Sequence, residues 1–207
     1  MKWWLSILLF LGLAACGSII PPQTLPDPIG VRGKKVQVEI GAANRLQTAA
    51  VGVGTINSQF ADLDTSTFPI SINLSQSLFK VGFAAETLLD TSASVLPCGI
   101  ILTDVRIDVT VRDALQTVKL PTFRVNKLVE LEQDKTNPKK YTIVTEDAFV
   151  GVALKGASVA ELQQVMTTGG DNQVDIRVTV QTASVPDLPP GSIMTFTFET
   201  SEAMLTF

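Results

Sequence analysis

Apolar and polar residues alternate with a period of two along most of the chain after Val36. The alternation is clearest over 105–112 and 174–181, where every second residue is Val or Ile and the residues between are polar or charged. This pattern is typical of strands that bury one face and expose the other. If the two segments are antiparallel neighbours, Asp108 faces Arg177 across the sheet.

Weaker alternation predicts further strands at 36–40, 68–74, 120–131, 141–154 and 193–198. Turn-forming residues separate these segments, as at Pro189-Pro190-Gly191, which cannot continue a hydrogen-bonded ladder. The segment 75–90 fits either period, with a strand slightly favoured over a helix. About seven or more strands are therefore expected.

One helix is predicted near 159–168. Ser158 and Glu161 have the S-x-x-E spacing of a capping box, and Gly169-Gly170 ends the segment. Four apolar side chains would share one face of this helix: Val159, Leu162, Val165 and Met166.

Many strands and one short helix predict a mainly β fold, an antiparallel β-sandwich. The architecture would be immunoglobulin-like, but the Cys…Trp…Cys spacing of true immunoglobulin domains is absent. Residues 31–207 are long enough for one well-buried core, and we expect a single domain there. Two small β domains are the alternative.

The first residues have the composition of an export signal. Lys2 precedes an apolar run over 3–13, which ends in Leu13-Ala14-Ala15-Cys16. The run is shorter than the ~20 apolar residues that a membrane-spanning helix needs. This Leu-Ala-Ala-Cys box resembles the lipobox of bacterial lipoproteins. The alternative is an ordinary cleaved signal in which the cysteine has no role.

The resemblance implies that residues 1–15 are a signal peptide and that Cys16 becomes the lipidated N-terminus. The thiol of Cys16 would carry a diacylglycerol and its amine an acyl chain, and no other cofactor is expected. Two or three acyl chains hold a protein stably on a membrane. The resemblance therefore places the protein in the cell envelope, and Gly17 in place of Asp favours the outer membrane in a Gram-negative cell.

Residues 16–30 are rich in proline, which excludes helix and favours extended backbone. We expect this segment to act as a tether that holds the domain up to ~40 Å from the lipid. The alternative is an N-terminal arm that packs on the domain.

Charge limits the class of partner. Without residues 1–15 the chain has 15 basic and 20 acidic residues, a net charge of −5. A nucleic-acid partner is not expected, because phosphate backbones require a cluster of Lys and Arg. Attachment to the membrane must then depend on the lipid, and an envelope protein is the expected partner.

Cys98 has no internal disulfide partner once Cys16 is acylated, so a free thiol is predicted. It precedes a strongly apolar segment, which favours a buried, inert thiol. An intermolecular bridge or a reactive thiol remains the alternative.

The chain contains no histidine. Histidine is the usual proton shuttle near neutral pH, the base of Ser/His and Cys/His systems and a ligand of most catalytic zinc sites. We therefore expect no enzymatic activity. A Ser/Lys pair is the remaining alternative, since Ser77 and Lys80 have the S-x-x-K spacing, but the S-D-N and K-T-G companions are missing.

Asp62 and Asp64 begin like a calcium-binding loop, in which alternate oxygens point at a hard cation. The motif fails at Thr67, where it needs glycine, and at Asn73, where it needs a bidentate Glu. Asp62 and Asp64 are therefore candidate metal ligands of an incomplete motif, and a solvated acidic turn is expected.

Glu130, Glu132 and Asp134 are spaced by two and would line one face of a strand. Like charges in such a row normally face water, although a protein partner or a cation could use them.

The hypothesis that follows is a lipid-anchored, non-catalytic envelope lipoprotein, a structural or accessory binding component of a larger assembly. The alternative is a carrier for an apolar small molecule or lipid held inside the sandwich, which the hydrophobic fraction of 45% suggests. A cavity lined by Val, Ile and Phe would favour the carrier.

Overall fold

The computed structural model describes residues 23–41, 50–61, 76–125, 127–145, 150–155, 157–167 and 171–206 of the chain. Within these residues it contains twelve strands and one helix. The elements are β1 (Gln23–Pro26), β2 (Lys35–Ile40), β3 (Ala50–Phe60), β4 (Gln76–Asp90), β5 (Gly99–Arg112), β6 (Thr117–Lys119), β7 (Phe123–Val125), β8 (Val129–Gln133), β9 (Lys140–Ile143), β10 (Val150–Lys155), α1 (Ala157–Thr167), β11 (Asn172–Ser184) and β12 (Ile193–Thr206).

The strands form one antiparallel sheet in the order β1-β12-β2-β3-β11-β5-β8-β9-β4-β10. β12 also pairs with β4, so the series of paired strands that runs from β12 through β2 to β4 returns to β12. The sheet therefore folds over on itself. β6 and β7 both add to β5. The buried side chains form one cluster to which β5 and β11 contribute on one side and β4 and β12 on the other. The predicted mainly β, sandwich-like fold with one short helix is confirmed.

The two segments with the clearest alternation are neighbours. β11 pairs with β5, and the Val and Ile positions of the segments 105–111 and 174–180 point into the core. Arg177 lies directly opposite Asp108 in this register, as expected from the sequence. The intervening side chains of the two strands therefore lie on the opposite surface of the sheet.

Strand β3 was not predicted, because its alternation is inverted. Gly52 and Gly54 lie on the core side, while Val51 and Val53 face outward. Glycine is required at 54 because a Cβ there would overlap the carbonyl oxygen of Gln37 in the neighbouring strand β2. Because β2 approaches so closely, the core side of β3 has no room for large side chains at Gly52 and Gly54. The sequence of β3 therefore lacks the buried apolar residues by which a half-buried strand is recognised.

Two long predicted strands are each divided in two. The segment 120–131 contains β7 and the start of β8, and the segment 141–154 contains β9 and most of β10. The segment 75–90 is a strand, β4, and the predicted strand 68–74 lies outside the described residues. The alternation of apolar and polar residues could not locate the ends of these strands, because the alternation itself is not interrupted where one strand ends and the next begins.

The predicted helix is confirmed as α1. Leu162, Val165 and Met166 are buried, as the shared apolar face requires. The helix begins at Ala157, so Ser158 lies in the first turn rather than at the cap. Within the described residues no helix is both long and apolar enough to cross a bilayer.

The tether prediction for 16–30 is corrected for residues 23–30. β1 pairs with β12 from Gln23↔Leu205 to Pro26↔Glu202, and Leu25 and Ile29 are buried. These two apolar side chains gain more from burial than the prolines lose in ladder hydrogen bonds at a sheet edge. Residues 16–22 lie outside the described residues.

Aromatic rings fill the centre of the core. The Phe83 ring centroid lies 4.9 Å from those of Phe196 and Phe198. Tyr141 is fully buried, and its hydroxyl donates a hydrogen bond of 2.7 Å to the Pro97 carbonyl. Burial raises the pKa of the Tyr141 hydroxyl.

Candidate functional site

A largely polar surface with a few exposed apolar side chains covers the outward side of β3, β11 and β5, and it extends onto β6, β7 and β8 beside β5. We call it the outer face. Its rows follow the strand register: Thr55 lies opposite Arg177, which lies opposite Asp108. Because residues directly opposite each other in a sheet share a face, the pairings define which side chains this surface contains.

Four of the six arginines of the chain lie on the outer face. With Lys119 they form the basic region, in which three aspartates also lie. Its cations are Arg106, Arg112, Lys119, Arg124 and Arg177, and its aspartates are Asp104, Asp108 and Asp175. The region carries a net charge of +2 on a chain whose net charge is −4. The order of these residues along the chain does not show this group, because they come from β5, β6, β7 and β11.

Asp104 binds two of the arginines. Its carboxylate lies 2.7 Å from Nε of Arg106 and 3.0 Å from Nε of Arg124. These two arginines are directly opposite each other on β5 and β7, an arrangement that would repel without a carboxylate between them. Asp104 is 8% exposed, while both arginine side chains are about half exposed and present their remaining N–H donors to solvent.

A surface concavity of about 400 Å³ lies within the basic region. Asp175 on its wall accepts a hydrogen bond from Nδ2 of Asn57 and pairs with Nη2 of Arg112 at 3.4 Å. The cations that line the concavity are Lys119 and Arg177, and among the described residues no ion pair holds either of them. These two side chains are thus available to an external anionic group.

The other end of the outer face is acidic. Glu130 and Glu132 of β8 and Asp187 of the loop after β11 line a concavity of about 570 Å³. We call these three residues the acidic end. No ion pair engages them among the described residues. Two exposed apolar side chains line the same concavity, Ile101 at 38% and Val185 at 89% exposure.

Asp134 does not continue the acidic row that its spacing predicts. Its carboxylate accepts hydrogen bonds from the Thr136 hydroxyl and from the amides of Thr136 and Asn137, at 2.6 to 2.9 Å. These bonds lower the pKa of Asp134 from 3.8 to about 2. Asp134 therefore holds the turn between β8 and β9 instead of facing a partner.

Replacing Asp134 by Asn gives a test of this turn. A carboxyl group whose pKa is lowered by folding stabilises the folded state above its unfolded pKa, and this contribution disappears as pH falls through the folded pKa. We expect wild type to have a higher unfolding temperature than Asp134→Asn at pH 7, and the difference to shrink between about pH 4 and about pH 2. Circular dichroism melts at several pH values measure it. A difference that does not change with pH would contradict the assignment.

Only some of the residues singled out in the sequence lie in the part of the chain that the structure describes. Cys16, Asp62 and Asp64 lie outside the described residues. Ser77 and Lys80 lie in strand β4, which lacks the helical turn that the S-x-x-K spacing needs. In the described ranges no three His, Cys, Asp or Glu side chains are grouped closely enough to hold a metal ion.

Among the described residues Cys98 has no disulfide partner, and it is exposed, so the expectation of a buried thiol is wrong. It lies in the turn before β5, where Tyr141 occupies the adjacent interior and donates to the neighbouring Pro97 carbonyl.

No protein-family model matches the chain, and no curated protein matches it.

Proposed function

We propose that the chain is a lipid-anchored, non-catalytic envelope lipoprotein that binds a protein partner through its outer face. The anchor rests on the sequence from Leu13 to Cys16. The observation that carries the binding role is the collection of four arginines on one side of a rigid sheet. The partner would present acidic groups to the basic region.

Arginine is the charged residue best suited to this role. It is enriched in protein interfaces and in their hot spots, whereas lysine is depleted. Its planar guanidinium group can bind a carboxylate of the partner with two parallel hydrogen bonds. Asp104 fixes Arg106 and Arg124 in advance, so less side-chain entropy is lost when a partner binds.

The concavities that the structure describes support a binding surface over an internal carrier. Their linings contain charged residues: Lys119 and Arg177 in one, Glu130 and Glu132 in the second, and Asp187 in a third of about 290 Å³. A carrier for an apolar ligand would instead need a cavity lined by Val, Ile and Phe.

Site-specific photocrosslinking in intact cells tests the binding role. A benzophenone amino acid replaces Thr55, which lines the concavity within the basic region, and the matched control carries it at Glu199, an exposed residue of β12. We expect position 55, but not position 199, to give a discrete product whose mass differs from twice that of the chain. No product from position 55, or only a product of doubled mass, would contradict an accessory role with another protein.

A further inference from the structure

The outer face has opposite charges at its two ends. β5 runs the whole length of the face, with β8 paired to residues 99–102 and β6 paired to residues 110–112. The acidic end therefore lies beside the start of β5, and Arg112 and Lys119 lie beside its other end. Asp104 with its two arginines lies between the ends.

A bulge keeps the polar side chains of β5 on one surface along this length. The register between β5 and β11 shifts between Gln181 and Thr182, so Thr103 has no direct partner. Ile101 on one side of the bulge and Asp104 on the other then both face outward. Without the shift, the alternation of side chains would place the acidic end and the basic region on opposite faces of the sheet.

From this arrangement we propose that two copies of the chain associate face to face through their outer faces, in antiparallel orientation. A two-fold axis near Arg106 would place the acidic end of each copy against Arg112 and Lys119 of the other. It would also bring Arg106 and Arg124 of the two copies together at the axis, where the Asp104 of each copy offsets part of their charge. Such a contact is isologous, because each copy offers the same surface and receives the same surface. This contact would occupy the same outer face as the proposed protein partner, so the two proposals compete for that face. The crosslinked product from position 55 distinguishes them: a doubled mass supports the dimer, and any other discrete mass supports the partner.

Size is consistent with this occupant. β5 has 14 residues, which corresponds to a length of ~45 Å, and four strands side by side span ~15–20 Å. The face therefore has an area of ~700–900 Å², close to the ~800 Å² that each partner buries in a standard protein interface. Exposed Val53, Ile101 and Val185 supply apolar area among the charges.

Charge complementarity favours a second copy over a partner of one charge sign. A uniformly acidic partner would be attracted by the basic region but repelled by Glu130, Glu132 and Asp187. A second copy in antiparallel orientation satisfies both ends at once. The parallel orientation is excluded by the same reasoning, because it would place like charges together.

Sedimentation velocity of the purified full chain, at constant detergent concentration, tests the proposal. We expect a concentration-dependent monomer–dimer equilibrium whose dissociation constant rises when salt is increased, since screening weakens contacts between exposed charges. A monomer at every concentration, or a dimer that salt leaves unchanged, would overturn the proposal.

Charge reversal tests the orientation. Glu132→Lys and Arg112→Glu should each weaken the dimer by about tenfold. The two-fold axis repeats the contact between positions 132 and 112, so each substitution removes two attractive charge pairs. An equal mixture of the two variants should restore an affinity near that of wild type, since the reversed charge at position 132 of one variant meets the reversed charge at position 112 of the other. Glu199→Lys makes the same charge change on β12, away from the face, and should leave the dissociation constant unchanged. Dimers that tolerate both single reversals, or a mixture that stays weak while both variants keep the wild-type circular dichroism spectrum, would overturn it.

Discussion

Gly54→Ala is expected to destabilise the fold by about 3 kcal/mol or more, although it adds a single methyl group. The new Cβ would overlap the carbonyl oxygen of Gln37 and would lie 2.9 Å from Cγ2 of Val36. The obstacle is the backbone of β2, which cannot turn aside as a flexible side chain can. β2 and β3 would have to separate, and β2 joins β3 to β12 in the sheet.

Gly99→Ala is the matched control for this prediction. A Cβ at Gly99 would meet only the Leu131 carbonyl oxygen, at the ordinary contact distance of 3.6 Å. Alanine is better than glycine inside a strand by roughly 0.5–1 kcal/mol in the absence of a clash, so this variant should be neutral or slightly stabilised. Urea unfolding followed by circular dichroism gives both free energies. Equal values for the two variants would show that the close approach of β2 does not limit stability.

Cys16→Ser is expected to move nearly all of the protein from the membrane fraction to the soluble fraction. A serine hydroxyl is not a substrate for thioether formation, so the acyl chains that the lipobox implies would be absent. Each buried methylene contributes about 0.8 kcal/mol to membrane attachment, and two or three chains together make it stable. The surface of an acidic chain offers anionic lipids no comparable attraction.

Cys98→Ser provides the control, because it makes the same change at the other cysteine of the chain. This variant should stay in the membrane fraction. Fractionation of cells with immunoblotting measures both variants, and mass spectrometry of the wild-type protein detects the acylated N-terminal cysteine. An unmodified thiol at Cys16, or a Cys16→Ser variant that still sediments with membranes, would refute the anchor.

Local periodicity was sufficient for the parts of the fold that follow the rules of an ideal element. The clean alternation of β5 and β11 predicted two half-buried strands, and the pattern around Leu162 predicted α1. β3 was missed because its core positions hold glycine, which carries no hydrophobic signal. The role of Gly54 depends on Gln37, a residue of another strand, so the pattern within β3 could not predict it.

By itself the sequence determined the fold class and the half-buried strands, and it supplied the resemblance to an export signal, because each depends on residues that are close in the chain. Only the tertiary structure decided which charges act together. Arg106, Arg124 and Arg177 come from three strands, and strand pairing places them on one surface. The sequence gives the net charge of the chain, which is negative. Binding depends instead on the local electric field at the surface. The fold creates this field by placing basic and acidic residues at different ends of the outer face.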